Sequence, residues 1–319
     1  MKEKILICGV GSIGERHLKN LVSLGYKNII LYRTKKKKLR TINKNFVVYD
    51  NLSKALTEKP DIAFICNPTH LHLETAIKCI SGNCHVFIEK PISHNLKDYK
   101  KLQKLILTKK KCVFVGYMMR YHPCIIQMQK WISDKKIGKI LHFKSEWCEY
   151  MPAWHPWENY KLSYAGKKEM GGGPALTLSH EIDLSLLFCG DYKKINGNSN
   201  SISKLNLTTE DLVDILISFK SGACGNIHLN YLSRPPSREI KIIGTKGQIS
   251  FNYYENKAKL FINGKLNRTL NISKKFDRNQ LFISEIKDFL FKVKNKKHST
   301  RNIDHAFNIV NIANKAIRN

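Results

Sequence analysis

Short apolar runs alternate with helix-length amphipathic stretches through the first third of the chain. Ile5-Leu6-Ile7-Cys8, Ile29 to Tyr32, Phe46 to Tyr49, Ile62 to Cys66, Val86 to Ile88 and Val113 to Val115 are nearly continuous in hydrophobicity, the pattern of strands buried on both faces. Between them the spacing predicts helices from Ile13 to Leu24, from Leu71 to Ser81 before Gly82, and from Leu96 to Thr108 into a lysine cluster. Strands separated by helices argue for a parallel sheet wound on both faces.

The rhythm changes after Tyr121-His122-Pro123. One helix over Ile125 to Asp134 is followed by a long aromatic loop from Trp147 to Tyr164, then by Gly171-Gly172-Gly173-Pro174 and a further helix. From Asp211 to Phe261 short alternating segments dominate: Leu212 to Phe219, Cys224 to Tyr231, Glu239 to Ile243 and Gln248 to Asn252, separated by glycine-containing turns. Alternation with tight turns predicts an antiparallel sheet. Helices over about 280 to 294 and 303 to 317 close the chain. The expected fold is α/β. A domain with a parallel sheet is expected over residues 1–121, and an α+β domain with a mostly antiparallel open sheet over residues 122–319. Too few helices follow the alternating strands to cover both faces, so a homo-oligomer, dimer or tetramer, is expected to bury the open one.

Composition narrows the function classes. A chain of 319 residues with 42% hydrophobic positions is long enough for two domains with proper cores. Met1-Lys2-Glu3-Lys4 passes straight into a strand-like segment too brief for a signal-peptide core, and no apolar run reaches membrane-spanning length. The expectation is a cytoplasmic protein without a membrane partner. Nine cysteines are an odd number with no C-x-x-C pair, which argues against a disulfide framework and against a zinc site, so no metal is expected. The formal charge of +30 comes from lysines scattered in short groups, such as Lys109 to Lys111, Lys193-Lys194 and Lys274-Lys275. No single basic stripe with interleaved aromatics forms, so no nucleic-acid partner is expected. The surplus instead speeds encounter with anionic ligands such as sugar nucleotides.

Chemistry enters at Gly9-Val10-Gly11-Ser12-Ile13-Gly14, which follows the first strand and opens the first helix. Glycines there let the backbone turn tightly and approach a pyrophosphate, held by amide N–H groups at the helix N-terminus. Residues 1–121 are therefore expected to form a Rossmann dinucleotide-binding domain, with 122–319 left for substrate binding and oligomerisation. At the end of the second strand a carboxylate for the ribose hydroxyls is expected in NAD-using folds. Tyr32-Arg33-Thr34-Lys35 stands there instead. Arginine with neighbouring donors fits an added 2′-phosphate, so NADP(H) is favoured and NAD(H) is the alternative.

Further motifs follow in order. Cys66-Asn67-Pro68-Thr69-His70-Leu71-His72 comes after the fourth strand, then Gly82 through Glu89-Lys90-Pro91, then Gly116-Tyr117-Met118-Met119-Arg120-Tyr121-His122-Pro123. Together with the glycine loop they resemble the Gfo/Idh/MocA oxidoreductases, the glucose-fructose oxidoreductase and inositol dehydrogenase family, over essentially the whole chain. The second half is similar to a branch of sugar or sugar-nucleotide dehydrogenases through Trp154-His155-Pro156-Trp157-Glu158, Ser163-Tyr164, Gly171-Gly172-Gly173, Leu178-Ser179-His180-Glu181-Ile182-Asp183 and Arg234-Pro235-Pro236-Ser237-Arg238.

The resemblance implies an NAD(P)-dependent oxidoreductase moving hydride to or from a hydroxyl or keto carbon of a sugar, nucleotide sugar or polyol. It places Lys90 beside the nicotinamide and His180 at the hydroxyl proton. Cofactor contacts are expected from Gly9, Gly11, Ser12, Ile13, Gly14, Arg33, Thr34, Cys66, Asn67, Pro68, His72, Glu89 and Lys90. Alcohol oxidation needs a base for the proton and a cation to stabilise charge on oxygen, which suits histidine and lysine. Many relatives carry an aspartate one helical turn before the histidine; here the nearest position holds Thr177, and Asp183, three residues after His180 on the same helix face, could supply the charge. Substrate contacts are expected from Arg120, Tyr121, Trp154, His155, Tyr164, Thr177 and Arg238, where the two domains meet. Two rivals remain open: redox-neutral epimerisation or glycoside cleavage with a tightly held cofactor, and a dinucleotide-binding regulator without turnover.

Overall fold

The computed structural model describes residues 2–34, 45–156, 158–297 and 299–317, which group into two compact units. The first runs through Tyr117 and takes in Phe282–Val310; the second is Met118–Leu281 with the chain from Asn311 on. Lys35 and Trp157, both part of the motifs above, lie outside the described residues.

The first unit is a six-stranded parallel sheet in the order β3-β2-β1-β4-β5-β6. Its strands are β1 (Ile5–Cys8), β2 (Ile29–Tyr32), β3 (Val47–Tyr49), β4 (Ile62–Ile65), β5 (His85–Glu89) and β6 (Val113–Gly116). Ile5 faces Ile29 on one side and Ile62 on the other. Every residue of β1, β4 and β6 is buried, which is why these runs read as continuous hydrophobicity. Helices α1 (Ser12–Ser23), α2 (Leu52–Thr57), α3 (His72–Ser81) and α4 (Tyr99–Lys109) connect them. Helix α4 starts later than its spacing predicts because Asp98 sits in the left-handed region at φ 61, where a non-glycine helix cannot continue.

The second unit is an eight-stranded sheet in the order β14-β13-β12-β11-β7-β10-β9-β8. In chain order these are β7 (Ile140–Cys148), β8 (Tyr192–Asn200), β9 (Leu212–Phe219), β10 (Cys224–Asn230), β11 (Ser237–Gly244), β12 (Gly247–Asn252), β13 (Lys257–Ile262) and β14 (Lys265–Asn271). All neighbours run antiparallel except β7 and β10. Strand β7, central in this sheet, includes the start of the segment expected to be an aromatic loop. Its alternation ends in adjacent buried Trp147 and Cys148, which hides the period.

Phe143, Ile215, Ile227, Ile240, Ile249 and Leu260 line the inner face and are buried. Helices α5 (Pro123–Ser133), α6 (Pro174–Thr177) and α7 (His180–Cys189) pack on β13, on β9 and β10, and on β7 respectively. The side chains of this inner face are therefore covered within the unit. Lys144, Glu146, Glu239, Lys241, Lys257 and Lys259 line a hollow on the sheet, and Leu216 is exposed.

The chain end departs from a simple two-block division. Helices α8 (Asn279–Lys294) and α9 (Arg301–Ile317) were expected in the second domain, yet Phe282–Val310 packs with the first unit. The reason is aromatic. Phe289 lies 5.8 Å from Phe64, 5.7 Å from Phe87 and 5.9 Å from Phe114, ring to ring, sealing the parallel sheet. Asn302 Oδ1 accepts the Val115 N–H at 2.8 Å, and Tyr99 donates its hydroxyl to Asp304 at 2.8 Å. Among the described residues no helix is long and apolar enough to cross a membrane.

His122 caps α5 by accepting the Cys124 N–H at Nδ1, 3.2 Å, with Nε2 3.3 Å from Asn256 Oδ1. It packs against the rings of Phe251, Tyr253 and Phe276. Burial pulls its pKa from 6.5 down to about 4. The unfolded chain therefore takes the proton first, and stability is lost as pH falls from 6.5 to about 4. Urea unfolding followed by tryptophan fluorescence should show this loss, at most about 1.4 kcal/mol per pH unit. His122→Asn, which keeps a capping oxygen without a titratable ring, should flatten it.

Candidate active site

In the first unit the expected cofactor residues converge on one edge of the sheet. Parallel strands place the loops after β1, β2, β4 and β5 at the same end, where such folds bind ligands. Gly9 takes φ +87, and a Cβ there would lie 2.5 Å from Asn67 N and Cα; a Cβ on Gly14 would lie 2.1 Å from Gly9 O. These two glycines let β1, α1 and the loop after β4 approach closely. Gly11 differs, since a Cβ there meets nothing within 4 Å. It caps α1 ahead of Ser12 and Ile13, and the open space over a helix N-terminus is what a pyrophosphate needs. The residues present therefore fit a dinucleotide.

Around this cradle the other loops are tied together. Gly9 donates to Tyr32 O at 2.9 Å, bringing the end of β2, and so Arg33 and exposed Thr34, beside the glycine turn. Arg33 N–H donates to Tyr49 O at 2.9 Å. Cys66 N–H donates to Cys8 O at 2.7 Å, and burial first, then Glu89 and Glu285, push the Cys66 thiol up. Asn67 donates to Thr75 at 2.8 Å. The ring nitrogens of buried His72 lie 2.8 Å from Pro91 O and 2.7 Å from Asn67 O, bridging the Asn67-Pro68 loop to the Glu89-Lys90-Pro91 turn. Burial lowers the His72 pKa despite these carbonyls. Glu89 meets His17 Nε2 at 2.5 Å and accepts the Lys90 N–H at 3.2 Å.

In the second unit α7 is buried at every position but Leu187, so its polar groups sit inside a core and need partners. His180 is 2% exposed. Asp183 accepts Arg120 Nε at 2.9 and 3.1 Å and is also paired with its terminal nitrogen. Glu181 takes Arg238 at 2.8 and 3.0 Å. Asp183, on the same helix as His180, thus pairs with Arg120. Arg238 Cζ lies 3.8 Å over the Trp147 ring, because the β7–β11 register sets the two residues opposite. The Trp147 ring is 5.8 Å from that of His180. Arg238, expected at the substrate, is a buried brace joining α7 to β11.

Two of the remaining substrate candidates, Thr177 and Trp154, lie beside Tyr231. Burial pushes the Tyr231 phenol well up, with Thr177 opposing; Tyr231 donates to Ala165 O at 3.3 Å. Trp154 meets Tyr231 edge-on at 5.2 Å. Tyr164 opens a short 3-10 turn, Tyr164–Gly166. Tyr121, His155 and Tyr164 are half-buried. Sequence reasoning missed Trp147, Tyr231, His17 and Glu285. It also missed Glu210, whose carboxyl burial raises to about 7 while it accepts from the Ala175 N–H. His17, three residues after Gly14 on the buried side of α1, was the one detectable signal among them.

A glycine cradle of this form, at the switch edge of a parallel sheet and beside a lysine-bearing turn, defines a dinucleotide-binding protein. Residues 3–117 match the model of an oxidoreductase family with an NAD-binding Rossmann fold, and residues 125–250 match the GFO/IDH/MocA C-terminal domain. The chain belongs to the GFO/IDH/MocA oxidoreductase family. Levoglucosan dehydrogenase of Pseudarthrobacter phenanthrenivorans is 26% identical over 63% of this chain and 58% of that protein. The 2,7-anhydro-N-acetylneuraminate hydratase of Escherichia coli is 27% identical over 64% of this chain and 55% of that protein. Both matches span little more than half of the relative's length. Myo-inositol 2-dehydrogenase of Thermotoga maritima is 25% identical over 77% of this chain and 74% of that protein. In fold, the chain superposes on levoglucosan dehydrogenase in complex with NADH and levoglucosan with a TM-score of 0.85. That superposition covers 99% of this chain and 96% of that one at 18% identity.

The buried Glu181–Arg238 pair generates a stability test. Removing one partner strands a charge in the core, which typically costs about 3–5 kcal/mol. Glu181→Ala should lower the unfolding free energy measured in urea by that much, whereas the exposed pair Lys220–Asp191 should tolerate Asp191→Ala within about 0.5 kcal/mol.

Proposed function

We propose that the protein is an NAD(P)-dependent oxidoreductase acting on a hydroxyl or keto carbon of a sugar, nucleotide sugar or polyol. The observation that carries this reading is the open space over Gly11 at the same sheet edge as the turn bearing Lys90. A bound nicotinamide supplies or accepts hydride. The amide groups at the start of α1 hold the pyrophosphate, and His72 keeps the Asn67 and Lys90 loops in place around it. The Lys90 ammonium stabilises negative charge developing on the substrate oxygen. His180 exchanges the hydroxyl proton through its imidazole, braced by the Trp147 ring. The curated relatives support the substrate class, being named for levoglucosan and myo-inositol. A second reading, redox-neutral conversion with the cofactor retained, is supported by the relative named as a hydratase.

A panel of nucleotide sugars, free sugars, anhydrosugars and inositols, followed at the nicotinamide absorbance, tests the reading. On the best substrate Lys90→Met and His180→Asn should each lower turnover by about 10² to 10⁴, and His180→Asn should still bind cofactor. Wild-type turnover by His180→Asn would remove it from proton transfer.

Arg33 supports a preference for NADP(H), since it follows Tyr32 beside the glycine turn and no carboxylate stands in its place. Arg33→Ala should weaken NADPH about tenfold or more and leave NADH nearly unchanged by calorimetry. Equal loss for both cofactors would mean that the arginine reads a group common to the two.

A further inference from the structure

Three ionisable side chains meet inside the first unit at the root of the turn that bears Lys90. His17 lies on α1, Glu89 at the end of β5 and Glu285 on α8, and their ligand-type nitrogen and oxygen atoms all fall within 4.8 Å of one another. Their exposures are 0%, 7% and 1%. Phenyl rings wall the imidazole: Phe87 at 5.1 Å, Phe64 at 5.6 Å and Phe282 at 6.1 Å. Glu285 Oε2 also borders Gly116, where a Cβ would lie 3.2 Å from it.

Like charges so close in an apolar enclosure cannot both persist, so one carboxyl must hold a proton. Geometry decides which. Glu89 has two partners that favour its anion, His17 Nε2 at 2.5 Å and the Lys90 N–H at 3.2 Å. Glu285 Oε2 has no protein hydrogen-bond partner, the condition in which a charge is least tolerable. We propose that His17, Glu89 and Glu285 form one buried proton-sharing cluster, with His17 Nε2–H donating to a Glu89 carboxylate beside a neutral Glu285 acid, which positions the Glu89-Lys90-Pro91 turn.

The titration tendencies agree. Burial, then Glu89, drive the Glu285 carboxyl far above the carboxylate range, with Lys90 opposing. Burial also raises Glu89, but the His17 hydrogen bond and the charges of His17, Lys90 and His72 outweigh it and leave Glu89 below its ordinary value. Cys66 faces both carboxyls and stays a thiol. The cluster then carries a single carboxylate. A carboxylate is thereby held at the root of the lysine, while the second acid adds no competing charge.

His17, Glu89 and Glu285 are positioning residues, and only the catalytic consequence rests on the proposed role of Lys90. The test needs no substrate. Infrared spectra taken at about pH 8 ionise Glu210, whose pKa is about 7, so a remaining protonated-carboxyl carbonyl band reports Glu285. The band should be present in the wild type and absent from Glu285→Gln. If that variant does not fold, ¹³C-glutamate labelling of the wild-type chain should shift the same band. Nitrogen NMR of the wild type should show the proton of the His17 ring on Nε2, hydrogen-bonded to Glu89, with that signature lost in Glu89→Gln. A wild type lacking the carboxyl band, or carrying no proton on His17 Nε2, would overturn the proposal. So would uptake of one equivalent of zinc per chain that is lost in both His17→Gln and Glu285→Gln, since the cluster would then be a metal site. Failure of every dehydrogenase assay would leave these spectra unchanged, so the two readings fail separately.

Discussion

A parallel sheet has to be covered on both faces, and most of the first unit's organisation follows from that requirement. Its connecting helices come from the first third of the chain, but the closing aromatic contact does not. Phe289 reaches the sheet from α8, far along the sequence, and packs against Phe64, Phe87 and Phe114. The same helix carries Glu285 to the end of β5, under the turn that bears Lys90. Covering the core and assembling the buried acid cluster are therefore one structural event.

The second unit solves a different problem. Helix α7 is apolar on nearly every side, yet it carries His180, Glu181 and Asp183 into the interior. Two arginines, Arg120 and Arg238, answer the two acids, and the His180 ring lies 5.8 Å from that of Trp147. Pairing of this kind adds little net stability compared with an apolar core, but it makes the arrangement intolerant of losing one member. Charge is thus committed to orienting the helix, and a carboxylate three residues from His180 is not automatically its partner.

The chain's large positive charge lies outside these interiors. Buried ionised or ionisable groups include Glu15, Glu89, Glu181, Asp183, Asp211 and Glu285, while Arg238 is the buried cation among the fully enclosed residues described. Lysines remain where water solvates them.

The sequence by itself determined the parallel half and the cofactor cradle, because both rest on local rules: continuous apolar runs make buried strands, and the spacing of Gly9, Gly11 and Gly14 reports backbone approach. The family resemblance carried the motif positions of Lys90 and His180. Local pattern could not show β7, whose alternation breaks at Trp147 and Cys148, or the polar edge strand β8. It could not show that Asp183 answers Arg120, that Arg238 answers Glu181, or that Thr177 reaches Tyr231. Nor could it show that α8 belongs with residues nearly 200 positions earlier. Each of these pairs residues distant in the chain, and a buried charge chooses its partner by proximity in the folded core, a quantity that no window of sequence contains.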